Sequence, residues 1–247
     1  MKKLLLYLKT HLSTFRVMTY NKIYISTNTE KEVVDNFHKL YYAASSYNKS
    51  WNTTHWRGVR LLKCPLDLWV YHELIYDLKP DLIIETGTSR GGSALFLADM
   101  LDHTGKGIVA TVDIRDCKIP EDADRVTTHK RIKFLIGSST SDEIIKEVRE
   151  LAKDKKTVLV ILDATHDKAH VLRELQLYAP LVTKGSYIIV EDTNFNGHPV
   201  IIPNSLGEGP YEAVEEYMKS DPTFTIDDYM ERHFMTFNPR GYLKKTS

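Results

Sequence analysis

Cysteine is scarce in this chain of 247 residues, which contains Cys64 and Cys117 and no other. The two lie outside any C-x-x-C pair and outside the spacings that are typical of metal sites. We therefore expect two free thiols, a reducing environment and a cytoplasmic location, rather than a secreted fold held by disulfides.

A net charge is also absent, because 33 basic residues balance 33 acidic ones. Proteins that bind nucleic acid through bulk charge need an excess of lysine and arginine, so this class is not expected. Long apolar runs are missing as well. The run within residues 1–18 is too short to cross a bilayer and lacks a small-residue cleavage site, so neither a transmembrane segment nor a signal peptide is expected. The preferred interpretation is a basic amphipathic helix on the surface or in contact with a second copy of the chain. A weak contact with a membrane surface stays open.

Two nucleotide-binding signatures are missing too. The sequence has no G-x-G-x-x-G turn, whose central glycine lets a pyrophosphate approach the backbone, and this argues against dinucleotide binding. It has no P-loop, which argues against an NTPase. Repeats and low-complexity segments are absent, so one α/β domain with additions is expected rather than two equal domains.

The segments that are present alternate between two hydrophobic periods. Buried strands are predicted at 82–84, 107–113, 132–136, 157–163 and 185–190, and the fourth of these is the most apolar and therefore expected at the centre of the sheet. Helices are predicted between them, which indicates an α/β protein with a doubly wound, mostly parallel, Rossmann-like sheet. The segments 224–226 and 234–237 predict an antiparallel hairpin at one edge. Helical spacing from Val33 to Tyr41 predicts an N-terminal helical extension.

A glycine-rich turn joins the first strand to the next helix. Its spacing, Gly87-x-x-x-Gly91-Gly92, allows a sharp turn and a close approach to a ligand, while the helix start points free N–H groups at the same place. The acid just before the turn favours a ligand with a cationic amine, and S-adenosylmethionine carries an α-ammonium group. The candidate cofactor-binding residues of this stretch are Glu85, Gly87, Thr88, Ser89 and Ser93.

Acidic residues also end the later strands. Because the carboxyl ends of parallel strands meet at one edge of a sheet, these side chains are expected to share one cleft. Asp113 is expected to accept hydrogen bonds from the ribose hydroxyls of the cofactor, although a helix or turn cap stays open. Small polar residues at Ser138 and Ser139 are candidates for the adenine edge.

A divalent metal site is predicted at the last two acidic strand ends. Asp163, Glu191 and Asp192 offer carboxylate oxygens, which suit Mg²⁺ or Mn²⁺. Asp163 is also a candidate cofactor-binding residue and a candidate catalytic residue. Such an ion would lower the pKa of a substrate hydroxyl and orient it. His166 is the preferred general base and His170 the alternative, although either could be a cap or a surface residue.

The aromatic segment 51–58 has two interpretations. It is either a lid or wall of the substrate site, or a plug at the end of the sheet.

Several motifs together resemble those of the cephalosporin hydroxylase / rhamnosyl O-methyltransferase family, over roughly residues 50–220. They are Trp56-Arg57-Gly58, Lys63-Cys64-Pro65-Leu66-Asp67-Leu68, the stretch from Ile84 to Ser93, Val112-Asp113-Ile114, Leu162-Asp163-Ala164-Thr165-His166 and Val190-Glu191-Asp192-Thr193. The resemblance implies a class I methyltransferase fold, S-adenosylmethionine as cofactor and Mg²⁺-dependent O-methylation. By motif it implies cofactor contacts for Glu85, Gly87 and Asp113, and metal contacts for Asp163, Glu191 and Asp192.

We therefore expect a Mg²⁺-dependent S-adenosylmethionine O-methyltransferase that acts on a hydroxyl of a sugar or glycosylated metabolite. Residues 65–247 are expected to form the methyltransferase domain, and residues 1–64 a helical and aromatic extension that serves as a lid or as an oligomer contact. The expected partners are a small-molecule or glycan substrate and a second copy of the chain. The alternatives are an NAD(P)-dependent Rossmann oxidoreductase and an inactive methyltransferase-like scaffold.

Overall fold

The structure is a computed structural model that describes residues 29–116, 129–201 and 207–247. The predicted helix within residues 1–18, Cys117 and residues 202–206 of the loop before Gly209 lie outside the described residues. Among the helices of the described part, none is long and apolar enough to cross a membrane.

A seven-stranded sheet forms the centre of the protein, in the order β5-β4-β3-β6-β7-β9-β8. Its strands are β3 (Leu82–Thr86), β4 (Ile108–Asp113), β5 (Ile132–Ile136), β6 (Val158–Leu162), β7 (Tyr187–Val190), β8 (Phe224–Ile226) and β9 (Tyr242–Lys245). Strands β3 to β7 are parallel, while β9 pairs antiparallel with β7 and β8 antiparallel with β9. The sheet is therefore doubly wound and mostly parallel with an antiparallel edge, as predicted, and β6 lies at its centre.

Helices cover both faces of this sheet. They are α1 (Thr29–Ala43), α2 (Pro65–Leu78), α3 (Gly92–Thr104), α4 (Asp142–Ala152), α5 (Lys168–Tyr178) and α6 (Pro210–Ser220). Apolar residues of α2 and α3 pack on one face, and those of α4, α5 and α6 pack on the other. Every residue of β3, β6 and β7 is buried, as expected for strands that lie between two helical layers.

The edge hairpin corrects one sequence prediction. The segment 234–237 is not a strand, and the second strand of the hairpin is Tyr242–Lys245. The buried Asp67 carboxylate explains the difference, because it accepts hydrogen bonds from Thr236 Oγ1 at 2.5 Å and from the backbone N–H of Phe237 at 2.9 Å. These bonds hold the apolar segment against α2, away from a sheet edge.

The N-terminal extension packs against the sheet domain. After α1 come two short 3₁₀ turns and a small antiparallel pair, β1 (His55–Trp56) with β2 (Val59–Arg60). His38 of α1 stacks on Phe237, with ring centroids 5.5 Å apart, and its Nε2 accepts a hydrogen bond from the Asn194 amide at 2.9 Å. The extension therefore packs against the loop after β7 and against the segment 234–237.

Candidate active site

The glycine-rich turn after β3 has the close backbone contact that its sequence predicts. Gly87 has φ +87°, and a Cβ atom there would lie 1.9 Å from the carbonyl oxygen of Asp163. Only glycine fits, because a side chain would collide with the loop after β6. Thr88 is buried beside it, with its Oγ1 2.7 Å from that of Thr111. The turn after β3 thus touches the loop that carries the predicted metal ligand.

Glu85 lies in the core at the end of β3. Ser93 donates a hydrogen bond to its Oε1, and Thr111 donates one to its Oε2 at 2.7 Å. Burial raises the pKa of Glu85, although the positive charge of Lys63 and these hydroxyls act in the opposite direction. The structure thus brings Glu85 and Ser93 together beneath the turn, and Ser93 orients the carboxylate.

Asp113 ends β4 beside the same turn. Its two carboxylate oxygens accept the backbone N–H of Ser89 at 2.9 Å and that of Arg115 at 3.0 Å. The segment from Gly87 to Gly91 also has the G-x-S-x-G spacing of serine hydrolases. No hydrogen bond joins Ser89 Oγ to a histidine anywhere in the described ranges, and the contact of Ser89 is the one from its backbone N–H to Asp113.

Ser138 and Ser139 follow β5, on the far side of Asp113. Ser138 Oγ lies 3.2 Å from Thr140 Oγ1. Ser139 is held by α5, because its Oγ lies 3.1 Å from His170 Nε2 and its carbonyl accepts the Tyr178 hydroxyl at 2.7 Å. His170, the alternative candidate for the base, therefore contacts the loop after β5 and does not line the cavity described below. The pKa of His170 is raised by its hydrogen bond with Glu174.

The loops after β6 and β7 bring three ligand-type side chains together. Ligand atoms of Asp163, His166 and Asp192 all lie within 4.8 Å of one another, and His166 Nε2 is 3.4 Å from Asp192 Oδ2. Asp192 has the left-handed φ of +55°, which is unusual for a residue other than glycine. Burial raises its pKa to about 6, with Asp163 acting in the same direction and His166 against it.

Glu191 lies deeper than this three-residue group. Its Oε1 accepts the ammonium of Lys63 at 2.6 Å and the hydroxyl of Tyr71 at 2.8 Å. Lys63 Nζ also donates to Asp163 Oδ2 at 2.9 Å. Burial alone would lower the Lys63 pKa, but Asp163, Glu191 and Glu85 outweigh it and hold that pKa above its usual value. The predicted metal role of Glu191 stays a prediction, and the structure gives it a lysine as its partner.

One cavity, of about 400 Å³, lies between the turn after β3 and the loops after β6 and β7. Gly87 and Ser89 of the turn line it together with Asp163, His166 and Asp192 of the loops after β6 and β7. Its lining does not include the predicted site residues Glu85, Thr88, Ser93, Asp113, Ser138, Ser139 and Glu191. The remaining lining residues are mostly aromatic: Tyr42, Trp51, Leu62, Ala164, Phe195 and Phe237.

The aromatic side chains form a connected wall of this cavity. Tyr42 stacks on Trp51 with ring centroids 5.3 Å apart, and it meets Phe195 and Phe237 edge-on at 5.6 and 5.7 Å. Trp56 lies elsewhere, packed on Phe96 with its indole N–H donated to Asp99 at 2.7 Å. Trp51 therefore lines the cavity, whereas Trp56 packs against α3. The role of the segment as a wall of the substrate site stays a prediction.

Two kinds of site residue escaped prediction from the sequence. Lys63 is part of one of the motifs that resemble the family, but a lysine just before a helix is normally expected on the surface. Phe195 comes from a loop without periodicity, and Phe237 from a segment that was predicted as an edge strand. The number of acids at the strand ends was the signal that could have pointed to Lys63, because crowded carboxylates require a cation.

The comparison with protein families gives one match over most of the chain. The model of the family Rhamnosyl O-methyltransferase/CmcI matches residues 48–246.

Curated relatives agree with this match. A rhamnosyl O-methyltransferase of Mycobacterium leprae (strain TN) is 39% identical over 215 residues, which is 85% of this chain and 90% of the relative. That of Mycobacterium tuberculosis (strain ATCC 25618 / H37Rv) is 36% identical, over 85% of this chain and 84% of its own.

Solved structures agree in fold. The structure named cmcI-N160 SAH is similar with a TM-score of 0.59 and 22% identity, covering 81% of this chain and 85% of its own. The structure named cmcI-D160 Mg-SAM has a TM-score of 0.56 and 21% identity, over 81% and 79% of the two chains. The O-methyltransferase TomG from Streptomyces achromogenes, in complex with SAM, has a TM-score of 0.53 and 14% identity, over 93% and 95%.

These similarities confirm the Rossmann-like methyltransferase fold and decide between the enzyme classes considered from the sequence. The oxidoreductase and scaffold alternatives are set aside. The chain belongs to the rhamnosyl O-methyltransferase/CmcI family, and it is an S-adenosylmethionine-dependent O-methyltransferase.

Proposed function

We propose that this enzyme methylates a hydroxyl of a sugar, with a rhamnosyl glycoside as the first candidate, and that the reaction requires Mg²⁺. One observation carries the proposal. A single cavity places the turn at Gly87, the acids Asp163 and Asp192, and an aromatic wall around one space. The two mycobacterial relatives are named for a rhamnosyl acceptor, which supports this choice of sugar.

The residues present fit a divalent ion. Asp163 and Asp192 offer hard carboxylate oxygens, and His166 adds an imidazole nitrogen within the same 4.8 Å group. The crowding of Asp163 and Asp192 helps to raise the Asp192 pKa to about 6, and a bound cation would relieve it. We propose Asp163 and Asp192 as ligands, with either Glu191, as its motif implies, or His166, as its distance favours, in the third position.

The chemistry divides between the bound groups and the chain. S-adenosylmethionine supplies an activated methyl group when bound, and Mg²⁺ lowers the pKa of a hydroxyl and orients it. We propose that Asp113, beside the turn, accepts hydrogen bonds from the ribose hydroxyls, and that Gly87 lets the backbone approach the cofactor. His166 is 41% exposed at the cavity, where it can take the proton from the acceptor if it is not itself a ligand.

The aromatic wall supports a sugar as the acceptor. The face of an aromatic ring carries partial negative charge, so it attracts the weakly positive C–H groups on one face of a pyranose. Tyr42, Trp51 and Phe237 line the same cavity as Asp163 and Asp192. We propose that they bind the sugar there and exclude water from the transfer. We propose that residues 29–64 act in this way as a wall of the acceptor site.

The direct test is methyl transfer to a simple rhamnosyl glycoside, followed by mass spectrometry, with Mg²⁺ present or removed by a chelator. We expect product only with the ion. Full activity in chelator would refute the metal requirement, while transfer to phenols but not to sugars would refute the acceptor class.

Metal binding is tested separately with Mn²⁺ and electron paramagnetic resonance. Asp192→Asn should weaken Mn²⁺ binding at least about tenfold. Asp167→Asn is the matched control, because Asp167 lies on the loop after β6 but caps α5 through the N–H of His170. His166→Asn and Glu191→Gln then identify the third ligand, as the one whose loss weakens binding.

Two coarser expectations accompany this function. We propose that the enzyme acts in the cytoplasm, in agreement with a free and buried Cys64. A homo-oligomer stays a prediction, which sedimentation of the purified protein tests.

A further inference from the structure

Lys63 occupies an unusual position for a lysine. Its side chain is 3% exposed and lies among the acids at the ends of three neighbouring strands. Two of them, Asp163 and Glu191, are in direct contact with the ammonium at 2.9 and 2.6 Å. Glu85 of the third strand adds to the negative field around it.

The position is fixed from outside the sheet. Lys63 precedes Cys64, the residue just before the first turn of α2, and Pro65 stiffens that turn. Tyr71, two turns along α2, donates to the same oxygen of Glu191 that receives the lysine. The start of α2 thus delivers both a charge and a hydroxyl to Glu191.

A buried charge of this kind acts on any ion that binds beside it. Taking acids out of water is costly unless each is paired, and Lys63 pairs two of them. The Lys63 ammonium also occupies one carboxylate oxygen of Asp163, and Asp163 belongs to the three-residue group with His166 and Asp192. A divalent ion at that group therefore meets a carboxylate that already has a positive partner.

We propose that Lys63 is a resident cation of the acidic strand ends, which competes with the divalent ion for Asp163 and thereby sets the affinity of the site for that ion. The inference rests on the proposed metal site. Before the ion binds, Lys63 keeps the acids together. Afterwards, its charge limits how tightly the ion is held and so favours its exchange.

The test compares Lys63→Met with Lys63→Arg, using Mn²⁺ titration followed by electron paramagnetic resonance on the full chain. We expect Lys63→Met to bind Mn²⁺ more tightly by about tenfold or more, equivalent to about 1.4 kcal/mol. Lys63→Arg keeps the charge and should stay within about threefold of wild type. Thermal unfolding gives a second readout, because Mn²⁺ should raise the melting temperature of Lys63→Met more than that of wild type.

A second pair of variants covers the outcome in which Lys63→Met does not fold. In a Glu191→Gln background one buried acid is already gone, so the lysine is no longer needed to balance it. Adding Lys63→Met there should again tighten Mn²⁺ binding relative to Glu191→Gln alone. Equal or weaker binding after the loss of the lysine, in whichever background folds, overturns the inference.

The wild-type titration separates this inference from the proposed function. If wild type binds no Mn²⁺ but Lys63→Met does, the requirement for a metal fails while the competition by Lys63 stands. If neither wild type nor Lys63→Met binds the ion, the metal requirement and the inference about Lys63 are both wrong. If both bind it equally, the metal site stands and Lys63 is only a structural partner of Glu191.

Discussion

Gly87→Ala tests the contact on which the cofactor site depends. The new Cβ would lie 1.9 Å from the Asp163 carbonyl oxygen, 2.6 Å from its carbon and 3.1 Å from Ala164 Cα. All three atoms belong to backbone, so no side chain can move aside. The left-handed φ of +87° adds about 1 kcal/mol, and overpacking adds about 1–3 kcal/mol, so the free energy of unfolding should fall by about 2–4 kcal/mol.

Gly105→Ala is the matched control for this substitution. Gly105 has φ +79°, close to that of Gly87, but a Cβ there meets nothing within 4 Å. It should cost only the backbone part, about 1 kcal/mol, and leave cofactor binding unchanged.

Denaturant unfolding and calorimetry with S-adenosylhomocysteine measure the two effects. For Gly87→Ala we expect a lower unfolding midpoint than for Gly105→Ala, and a loss of S-adenosylhomocysteine affinity of about 100-fold, since the turn and the Asp163 loop must separate. Equal stability of the two variants, together with wild-type affinity in Gly87→Ala, would show that the contact does not shape the site.

Two further predictions concern the extension before α2. Burial lowers the pKa of His38 to about 4, although Asp35 acts in the opposite direction, while the unfolded value is 6.5. The unfolded chain therefore binds a proton first as pH falls, so wild type should lose stability between pH 6.5 and 4 more steeply than His38→Gln, as followed by urea unfolding at each pH. Trp51→Ala should raise the acceptor KM about tenfold with S-adenosylhomocysteine affinity unchanged, whereas Trp56→Ala should lower stability and leave that KM unaltered; the reverse pattern would refute the wall.

The parallel part of the sheet could be predicted because local and global signals agree there. Strands β6 and β7 are apolar throughout, β3 is apolar up to Glu85, and every residue of the three is buried. The acids that follow these strands were placed at one edge by topology alone. Their gathering near one cavity therefore needed no information beyond the order of the elements.

The edge of the sheet could not be predicted from the same signals. Tyr242–Lys245 carries two lysines and pairs on both sides, while the more apolar segment 234–237 stays a loop. The loop is decided by Asp67, far away in sequence, whose buried carboxylate takes its hydrogen bonds from Thr236 and Phe237. The hydrophobic pattern of the segment 234–237 does not reveal a partner so distant in sequence, so the loop could not be predicted from it.

The placement of the acids also explains why the segment before α2 is part of the site. Strand ends in this fold supply carboxylates and a glycine turn, but among the described residues the ammonium that contacts Asp163 and Glu191 comes from Lys63, before the sheet begins. The same segment supplies Tyr42 and Trp51 to the cavity. Crowded buried acids without a cation would either take up protons or separate. A boundary at residue 64, which the sequence suggests, would therefore remove the charge partner of the acids and half of the aromatic wall in one cut.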